Sequence, residues 1–338
     1  MVDVSDIYRY ATIVLRTNCC MKDYKLSKKY ADWLKDSICS FQSDYIQHQY
    51  KVSEKHKALK DYLRDNRKDI DVSRLHELVE DLKKTTWSGT YEASEIAINH
   101  LKKYFRLENR SGEYSPRICT KTLDFSYNND VGKYENYIVD LKRDRGTSPF
   151  SQYPLRENTG FVKVHQNGDR FIENDIPAAV KGKSYENKRI NYQCVLNYKE
   201  KIFIKQLIQR IRPKNDTFKD KAWANCWDVG KNETQDKDSF YKSTLIVPMK
   251  LKKSEIEDEF YKKLLESEHA DQYEYDELIF GYLCFDHRGT GFFNDDIDTK
   301  TGWIFSDLLS LYMISSLIYT EKSTTFSKAK KILEENAA

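Results

Sequence analysis

The segment Leu278-Ile-Phe-Gly-Tyr-Leu-Cys-Phe-Asp286 decides the fold, because it is apolar at both of the alternating positions of a β-strand. Such a strand is covered on both sides, which predicts a place at the centre of a sheet. Thr244 to Leu251 is a second strand of this kind, and the apolar run Trp303 to Tyr319 predicts a helix that closes the region. Strands flanked by helices indicate an α+β fold with an antiparallel sheet.

Shorter elements are predicted upstream and between these strands. Residues Phe161 to His165 alternate as in a β-strand, and a second short strand is predicted at Arg170 to Glu173. Between them, Gln166 to Asp169 contains an Asn-Gly pair, which is typical of the turn of a β-hairpin. Ile190 to Val195 is a further predicted strand. Ser254 to Glu257 is a capping box, which predicts the start of a helix.

The first quarter of the chain is predicted to be helical, because all 12 glycines and all 6 prolines lie after residue 88. Apolar residues recur every three or four positions from Val4 to Val14, and a second such stripe runs from Tyr30 to Leu63. Two further helices are predicted after Ser73 and after Ser94. Residues 1–108 are therefore expected to form an α-helical domain.

The length of 338 residues exceeds what one hydrophobic core usually organises, which favours two domains. Residues 109–155 contain short runs interrupted by Gly and Pro, with strands expected at Arg117 to Phe125 and Tyr137 to Leu141. We assign 109–155 to a boundary region and 156–338 to the second domain.

Four segments of the second domain follow one another in an order typical of one known family. A strand with an apolar-Val-Pro-apolar run is followed by a Gly-apolar-apolar strand, a short loop with Phe and a long helix. The segments are Ser243-Thr-Leu-Ile-Val-Pro-Met249, Phe280-Gly-Tyr-Leu-Cys-Phe-Asp286, Gly291-Phe-Phe-Asn-Asp295 and Ile304 to Tyr319. On these residues the chain from about 152 to 320 resembles the second half of a GAF domain.

The resemblance implies a sensor or regulatory domain with an antiparallel sheet, in which the hairpin at Phe161 to Ile176 supplies the first two strands. The long segment between Ile190 and Tyr241, rich in Lys, Asn and Asp, departs from the family. The cyclic-nucleotide signature of the family and a bilin-attachment context are not recognisable here. Neither ligand is therefore carried over to this chain.

Total charge excludes a histone-like protein, since 56 Lys and Arg face 53 Asp and Glu, for a net charge of +3. The distribution is uneven, because residues 151–214 contain 13 basic and 6 acidic residues. This local excess points to an anionic partner, for which a small ligand is the first class and nucleic acid is possible but not favoured.

Candidate ligand-binding residues lie in and after this basic stretch. Asn174 and Asp175 precede Pro177, in a segment with polar groups of the kind that line ligand pockets, and turn chemistry is the alternative explanation. Arg189 stands at the entrance of a predicted strand, where its planar guanidinium suits a phosphate or carboxylate. The remaining candidates are Lys163, Tyr185 and Trp227.

Catalytic and metal chemistry have little support in the sequence. No GxxxxGK[ST], GxGxxG, GxSxG or HExxH motif occurs, and we predict no catalytic residue, metal or cofactor. His48, His56, His76 and His100 fall in predicted helices among Lys and Glu, which indicates a solvated face. Cys284 and His287 form at most half of a metal site.

The cysteines and the apolar helix bear on the cellular location and assembly of the protein. Seven cysteines, an odd number, and a start without an apolar signal segment indicate a reduced, cytoplasmic protein. Trp303 to Tyr319 is shorter than a membrane span, so no membrane is expected. Because this helix is apolar nearly all round, it requires cover by the N-terminal helices, by a homodimer partner or by another protein.

These observations favour a non-catalytic, ligand-binding sensor or regulatory protein that passes a signal to the helical domain or to a partner. The first alternative is a scaffold or assembly subunit without a ligand, for example in a bacterial stress-response or antiviral (phage-defence) complex. The Lys, Asn and Tyr bias suggests an AT-rich bacterial genome. The second alternative is a thiol-based reductase using Cys194, Cys226 or Cys284, of which Cys226 has the most loop-like context.

Overall fold

The computed structural model describes residues 24–66, 69–108, 110, 115–128, 132–144, 152–187, 241–252, 277–287, 289–320 and 323–337. These residues form an α+β fold with six helices and a six-stranded antiparallel sheet, as the sequence predicts. The helices are α1 (Tyr24–Asp65), α2 (Val72–Leu107), α3 (Thr159–Asn167), α4 (Ile176–Lys181), α5 (Ile297–Tyr319) and α6 (Thr324–Ala337). The strands are β1 (Arg117–Asn128), β2 (Lys133–Arg143), β3 (Gln152–Pro154), β4 (Phe171–Glu173), β5 (Ser243–Lys252) and β6 (Glu277–His287).

The strand order is β3-β2-β1-β6-β5-β4, and every neighbouring pair is antiparallel. β1 and β6 lie at the centre, which confirms the prediction for the segment that ends at Asp286. The register pairs Cys119 of β1 with Cys284 of β6. Residues more than 160 positions apart in the chain are therefore neighbours in the middle of the sheet.

One face of the sheet, which we call the front face, is covered by α2 and α5, and α1 and α6 pack against these helices. Leu245 and Val247 of β5 and Phe285 of β6 point to this face and are buried in one cluster with Trp33 of α1 and Leu101 of α2. A single hydrophobic core thus contains residues from the N-terminal helices and from the sheet.

The predicted boundary region contributes to this same sheet. β1 and β2, which lie within residues 109–155, pair with each other, and β1 also pairs with β6. The strands expected at Arg117 to Phe125 and Tyr137 to Leu141 are confirmed. The division into two domains remains a prediction, although the described parts of 1–108 and 156–338 share a core.

Helix α5 begins at Ile297, ahead of the predicted start, and is apolar on all sides because it is enclosed. The sheet covers one side, and α1 and α2 cover others through contacts such as Tyr312 with Phe41. Within the described part of the chain, α5 is the one helix that is long and apolar enough to cross a membrane. Its burial is that of a core helix. The N-terminal helices therefore cover the apolar surface of α5 that a homodimer partner was the other candidate to cover. Self-association itself remains a prediction.

The long stripe from Tyr30 to Leu63 is confirmed as helix α1, but two helices predicted after Ser73 and Ser94 are in fact one, α2. Its N-cap is Asp71, whose carboxylate accepts hydrogen bonds from the amides of Ser73 and Arg74. The Ser94 hydroxyl bonds instead to the carbonyl of Thr90 in the preceding turn. A serine within a helix can satisfy its hydroxyl in this way, so it does not begin a new helix.

The predicted hairpin at Phe161 to Ile176 is wrong, because its first strand is part of helix α3 (Thr159–Asn167), whereas its second strand, at Arg170 to Glu173, is confirmed as β4. Asn158 caps the helix by accepting a hydrogen bond from the Gly160 amide, and Gly168 ends it with φ of 64°. An Asn-Gly pair suits a left-handed helix end as well as a hairpin turn. The first two strands of the sheet, which the resemblance assigned to this hairpin, are β1 and β2.

Several predicted elements lie outside the described residues. They are the helix from Val4 to Val14, the strand Ile190 to Val195 and the helix after Ser254. The strands predicted from Thr244 to Leu251 and from Leu278 to Asp286 are confirmed as β5 and β6.

The prediction that four histidines lie on a solvated face is wrong for His48. Its side chain is 5% exposed, and its ring stacks on Tyr312 at 5.4 Å between centroids. Burial lowers the pKa of His48, the charge of Asp44 opposes this shift, and the charge of Lys51 adds to it. Burial also lowers the pKa of His56 and of His100. The neutral imidazole is the form that the folded helices favour.

We expect the free energy of unfolding to fall as the pH drops below about 6.5, the ordinary pKa of histidine. A pKa lowered in the folded state means that the unfolded chain binds protons first, which favours unfolding. The contribution of His48 to the slope of unfolding free energy against pH is at most about 1.4 kcal/mol per pH unit. Urea unfolding between pH 7.5 and 5.5 measures it, and His48→Gln should flatten the slope while His76→Gln, at an exposed position of α2, leaves it unchanged. An identical slope in His48→Gln and the unaltered protein would contradict this expectation.

Candidate functional site

The opposite face of the sheet, which we call the back face, carries a row of polar side chains on the two central strands. Three successive cross-strand pairs of β1 and β6 project to this face, because every second residue of a strand points the same way. The pairs are Arg117 with Asp286, Cys119 with Cys284 and Lys121 with Tyr282. Apolar residues of α3, such as Phe161 and Val164, and Ile246 of β5 surround the row.

Lys121 lies at the inner end of this row and forms an ion pair with Asp140 of β2. Both side chains are buried. Burial lowers the pKa of Lys121, but electrostatic interactions with Tyr153, Cys119 and Asp140 outweigh it and leave the pKa above its ordinary value. Lys121 is therefore a buried cation.

Asp140 also pairs with Arg143, three residues along β2. One carboxylate thus serves two cations. Arg143 lies directly opposite Cys119 in the β1–β2 register, and its side chain is 21% exposed. Its Nε atom is buried and has no hydrogen-bond partner among the residues that the structure describes. This guanidinium therefore has donor capacity left for a ligand.

Arg117 begins the row at the edge of the site. Its Nη2 donates a hydrogen bond of 2.6 Å to Asp286 Oδ2, and the Asp286 Oδ1 accepts another of 2.9 Å from the Thr244 hydroxyl. The Arg117 side chain is 20% exposed. Arg117 and Arg143 therefore flank Cys119, and we call Arg117, Lys121 and Arg143 the basic cluster.

The two cysteines in the middle of the row differ in acidity. A hydrogen bond from the Cys284 thiol lowers the pKa of Cys119, as do the charges of Lys121 and Arg117, while burial opposes them. Burial and the neighbouring Cys119 hold the pKa of Cys284 well above its ordinary value. Of the two sulfurs, Cys119 is thus the better thiolate.

A group of weakly bonded polar side chains lies beside the basic cluster. The His165 ring is 3.4 Å from the Asn136 amide nitrogen and 3.4 Å from the Tyr282 hydroxyl. Burial lowers the pKa of His165. Tyr153 of β3 packs nearby, and its burial raises its pKa to about 12. At neutral pH these groups are uncharged, so they add hydrogen-bonding capacity to the site without charge.

Tyr185, one of the predicted ligand residues, is buried on the back face. Its hydroxyl is 2.8 Å from that of Tyr241, which also accepts a hydrogen bond of 2.9 Å from the Asn187 amide. The Tyr185 ring stacks on Phe171. Its hydroxyl is thus engaged in a buried network next to Arg117 and Asp286 rather than projecting into solvent.

Asn174 and Asp175 have structural roles in the described residues. The Asn174 amide donates to the carbonyl of Phe293 at 2.8 Å and accepts from the Phe293 amide at 3.0 Å, which holds the loop before α5. Asp175 is the N-cap of α4, where it accepts a hydrogen bond from Ala178. Local turn chemistry, the alternative explanation, accounts for Asp175, whereas Asn174 makes a long-range contact.

Of the other predicted ligand residues, Lys163 is the one within the described part of the chain. Lys163 is exposed on α3, with its ammonium group 5.3 Å from the ring centre of Phe171. Arg189 and Trp227 lie outside the described residues. Sequence reasoning missed Arg117, Lys121 and Arg143, although alternation in the predicted strand Arg117-Ile-Cys-Thr-Lys121 places Arg117, Cys119 and Lys121 on one face. That alternation was the available signal.

Metal binding has no support in this part of the molecule. Among the described residues, no group of three or more His, Cys, Asp and Glu side chains is arranged to hold a metal ion. Cys284 is buried against Cys119, as expected of a small apolar side chain. Comparison of the chain with protein-family models, curated proteins and solved structures finds no match.

Proposed function

We propose that this protein is a sensor or regulatory protein that binds a small anion at the basic cluster on a GAF-like sheet. The observation that carries the proposal is the charge balance of the back face. Three cations, Arg117, Lys121 and Arg143, contact two carboxylates, Asp140 and Asp286. An excess of one positive charge in a partly desolvated site attracts an anion more strongly than a surface charge does.

The chemistry of the cluster favours a ligand with a phosphate or carboxylate group. Arg143 has an unused Nε donor, and a guanidinium offers paired N–H groups that match two oxygen atoms of such a group. Arg117 and Arg143 are both about one-fifth exposed, so a ligand has access to them, whereas Lys121 contributes its charge from within.

The order of the C-terminal elements supports the GAF-like part of the proposal. β5 contains Val247-Pro248-Met249, β6 contains Gly281, and the loop with Phe292 and Phe293 leads into a helix that packs back on the sheet. These are the features on which the resemblance rests. The two strands are neighbours in one sheet, and the loop and helix follow them in the chain.

A route for a signal follows from the same strands. β1 carries Arg117 and Lys121 of the basic cluster on the back face, and β1 and its neighbour β6 carry Ile118, Leu283 and Phe285 on the front face, in the core shared with α1 and α2. A ligand that shifts the central strands therefore acts directly on the helical layer. Such coupling requires that the ligand distinguish two arrangements of these strands.

Thermal-shift measurements with nucleotides and small carboxylic acids test the proposal. We expect at least one anion to raise the melting temperature, and Arg143→Gln to weaken its binding about 10- to 100-fold, the value of a lost charged hydrogen bond. Asp140 keeps Lys121 as a partner in this variant, so the fold should survive.

The matched control is Lys142→Gln. Lys142 is adjacent in β2, but its ammonium group bonds to Tyr91 and Glu95 of α2 on the front face. The Lys142→Gln substitution removes one positive charge, as Arg143→Gln does, but it leaves the basic cluster intact. The affinity for the anion should therefore equal that of the unaltered protein. If no anion stabilises the protein, the scaffold alternative is favoured. Equal weakening in both variants would assign the effect to net charge.

A further inference from the structure

We infer that Cys119 and Cys284 are a modification site, at which a peroxide oxidises the two thiols to a disulfide that joins β1 to β6. The register of the central strands brings these two cysteines together whether or not the proposed anion is bound. Both cysteines are reduced in the structure and are 3% and 2% exposed.

The strand geometry places the two sulfurs within bonding reach. Cys119 and Cys284 are directly opposite on antiparallel strands, so their side chains project to the same face. Opposed residues of this kind have Cα atoms about 4.5 to 5.5 Å apart, which is inside the range that a disulfide spans. A bond between them therefore requires side-chain rotation and little movement of the backbone.

The surroundings assign different roles to the two thiols. Cys119 has Arg117 and Lys121 two positions away on its own strand and Arg143 opposite it on β2, and these cations stabilise a thiolate. Cys284 has apolar neighbours such as Ile246, and its burial keeps it protonated. Cys119 is thus the attacking sulfur and Cys284 the resolving one.

The reaction balances with a peroxide as the oxidant. The Cys119 thiolate attacks one peroxide oxygen and breaks the O–O bond, which gives a sulfenic acid and, after protonation of the leaving oxygen, one water from hydrogen peroxide. The Cys284 sulfur then attacks the sulfenic sulfur, loses its proton and releases a second water. The two thiols lose two electrons, and the peroxide gains them. Burial restricts the oxidant to a small molecule.

Peptide mapping of the oxidised protein tests the inference. The folded chain is treated with hydrogen peroxide, free thiols are alkylated, and trypsin releases the peptides Ile118–Lys121 and Leu264–Arg288, which contain the two cysteines. We expect these peptides to be joined by a disulfide that a reducing agent breaks. Joining of Cys119 to another cysteine, Cys119 that remains fully alkylated, or Cys119 converted to sulfinic acid in the unaltered protein would each overturn the assignment.

Variants separate the roles of the two sulfurs. Cys284→Ser should leave Cys119 as a sulfenic acid that a 1,3-dione reagent traps, whereas Cys119→Ser should leave Cys284 unmodified. Cys39→Ser, at an exposed position on α1, is the matched control and should keep the linked peptides. Trapping at Cys284 in place of Cys119 would reverse the roles. The map of the unaltered protein decides the pairing even if a variant does not fold.

Discussion

Replacing Arg110 by Ala is expected to lower the free energy of unfolding by about 3 to 5 kcal/mol, the usual cost of removing one partner of a buried ion pair. Arg110 donates to both oxygens of Asp298, with Nη1 at 2.6 Å and Nη2 at 2.5 Å. The Asp298 side chain is 1% exposed. Without Arg110 the Asp298 carboxylate would stay buried without a cation. Its hydrogen-bond donors among the described residues would then be the Tyr104 hydroxyl and the Asn294 backbone amide, which are both neutral.

The position of Arg110 explains why the effect should be global. The guanidinium lies 5.2 Å from the ring centre of Phe105 on α2 and 5.5 Å from that of Phe292 in the loop before α5. One side chain therefore ties the end of α2 to the start of α5. Loss of the pair would loosen the front layer where the N-terminal helices meet the C-terminal one.

Urea unfolding of Arg110→Ala and of Arg106→Ala measures this effect. Arg106 is exposed in the last turn of α2, so its replacement removes the same charge without a buried partner and should change stability by less than about 1 kcal/mol. Asp298→Asn should restore part of the loss in the Arg110→Ala background, because it removes the buried charge. Equal stability of the two arginine variants would show that the pair contributes little.

The central strands and α1 were predictable because each has a long apolar pattern that fits one type of secondary structure, strand or helix. Leu278 to Asp286 is apolar on both faces because α5 covers β6 on the front face and α3 covers it on the back face, and the stripe to Leu63 is largely buried. The error at Phe161 to His165, which form part of a helix and not a strand, has a local cause. Phe161 and Val164 fit one side of a short helix as well as an irregular strand, and packing against Ile246 and Tyr282 decides between them.

The candidate site was harder to predict than the fold, because strand pairing assembles it. Lys121 and Asp140 are 19 residues apart, and Arg117 and Asp286 are 169 apart. A sequence contains these residues but not the register that makes them neighbours, and a shift of one residue would send every side chain to the other face. The basic excess in residues 151–214 drew attention to a different part of the chain, and most of its later half lies outside the described residues.

Replacing Gly281 by Ala is expected to cost about 3 kcal/mol or more of unfolding free energy, at the upper end of what overpacking causes. A Cβ at this position would clash with the Lys121 carbonyl oxygen and would lie only 2.6 Å from Met249 Cε. The methionine can move, but the carbonyl belongs to β1, so β1 and β6 would have to separate. The same separation would weaken anion binding and the joining of Cys119 to Cys284.

Gly182→Ala is the matched control for this substitution. Gly182 has φ of −77°, and an added Cβ would meet only backbone oxygens at 3.4 Å or beyond. Ala is compatible with that backbone, so the protein should keep its stability or gain up to about 1 kcal/mol from reduced freedom of the unfolded chain. Thermal and urea unfolding of the two variants give the comparison. If Gly281→Ala were as stable as Gly182→Ala, the close approach of β6 to β1 at Lys121 would not exist, and the pairing that assembles the basic cluster would have to be revised.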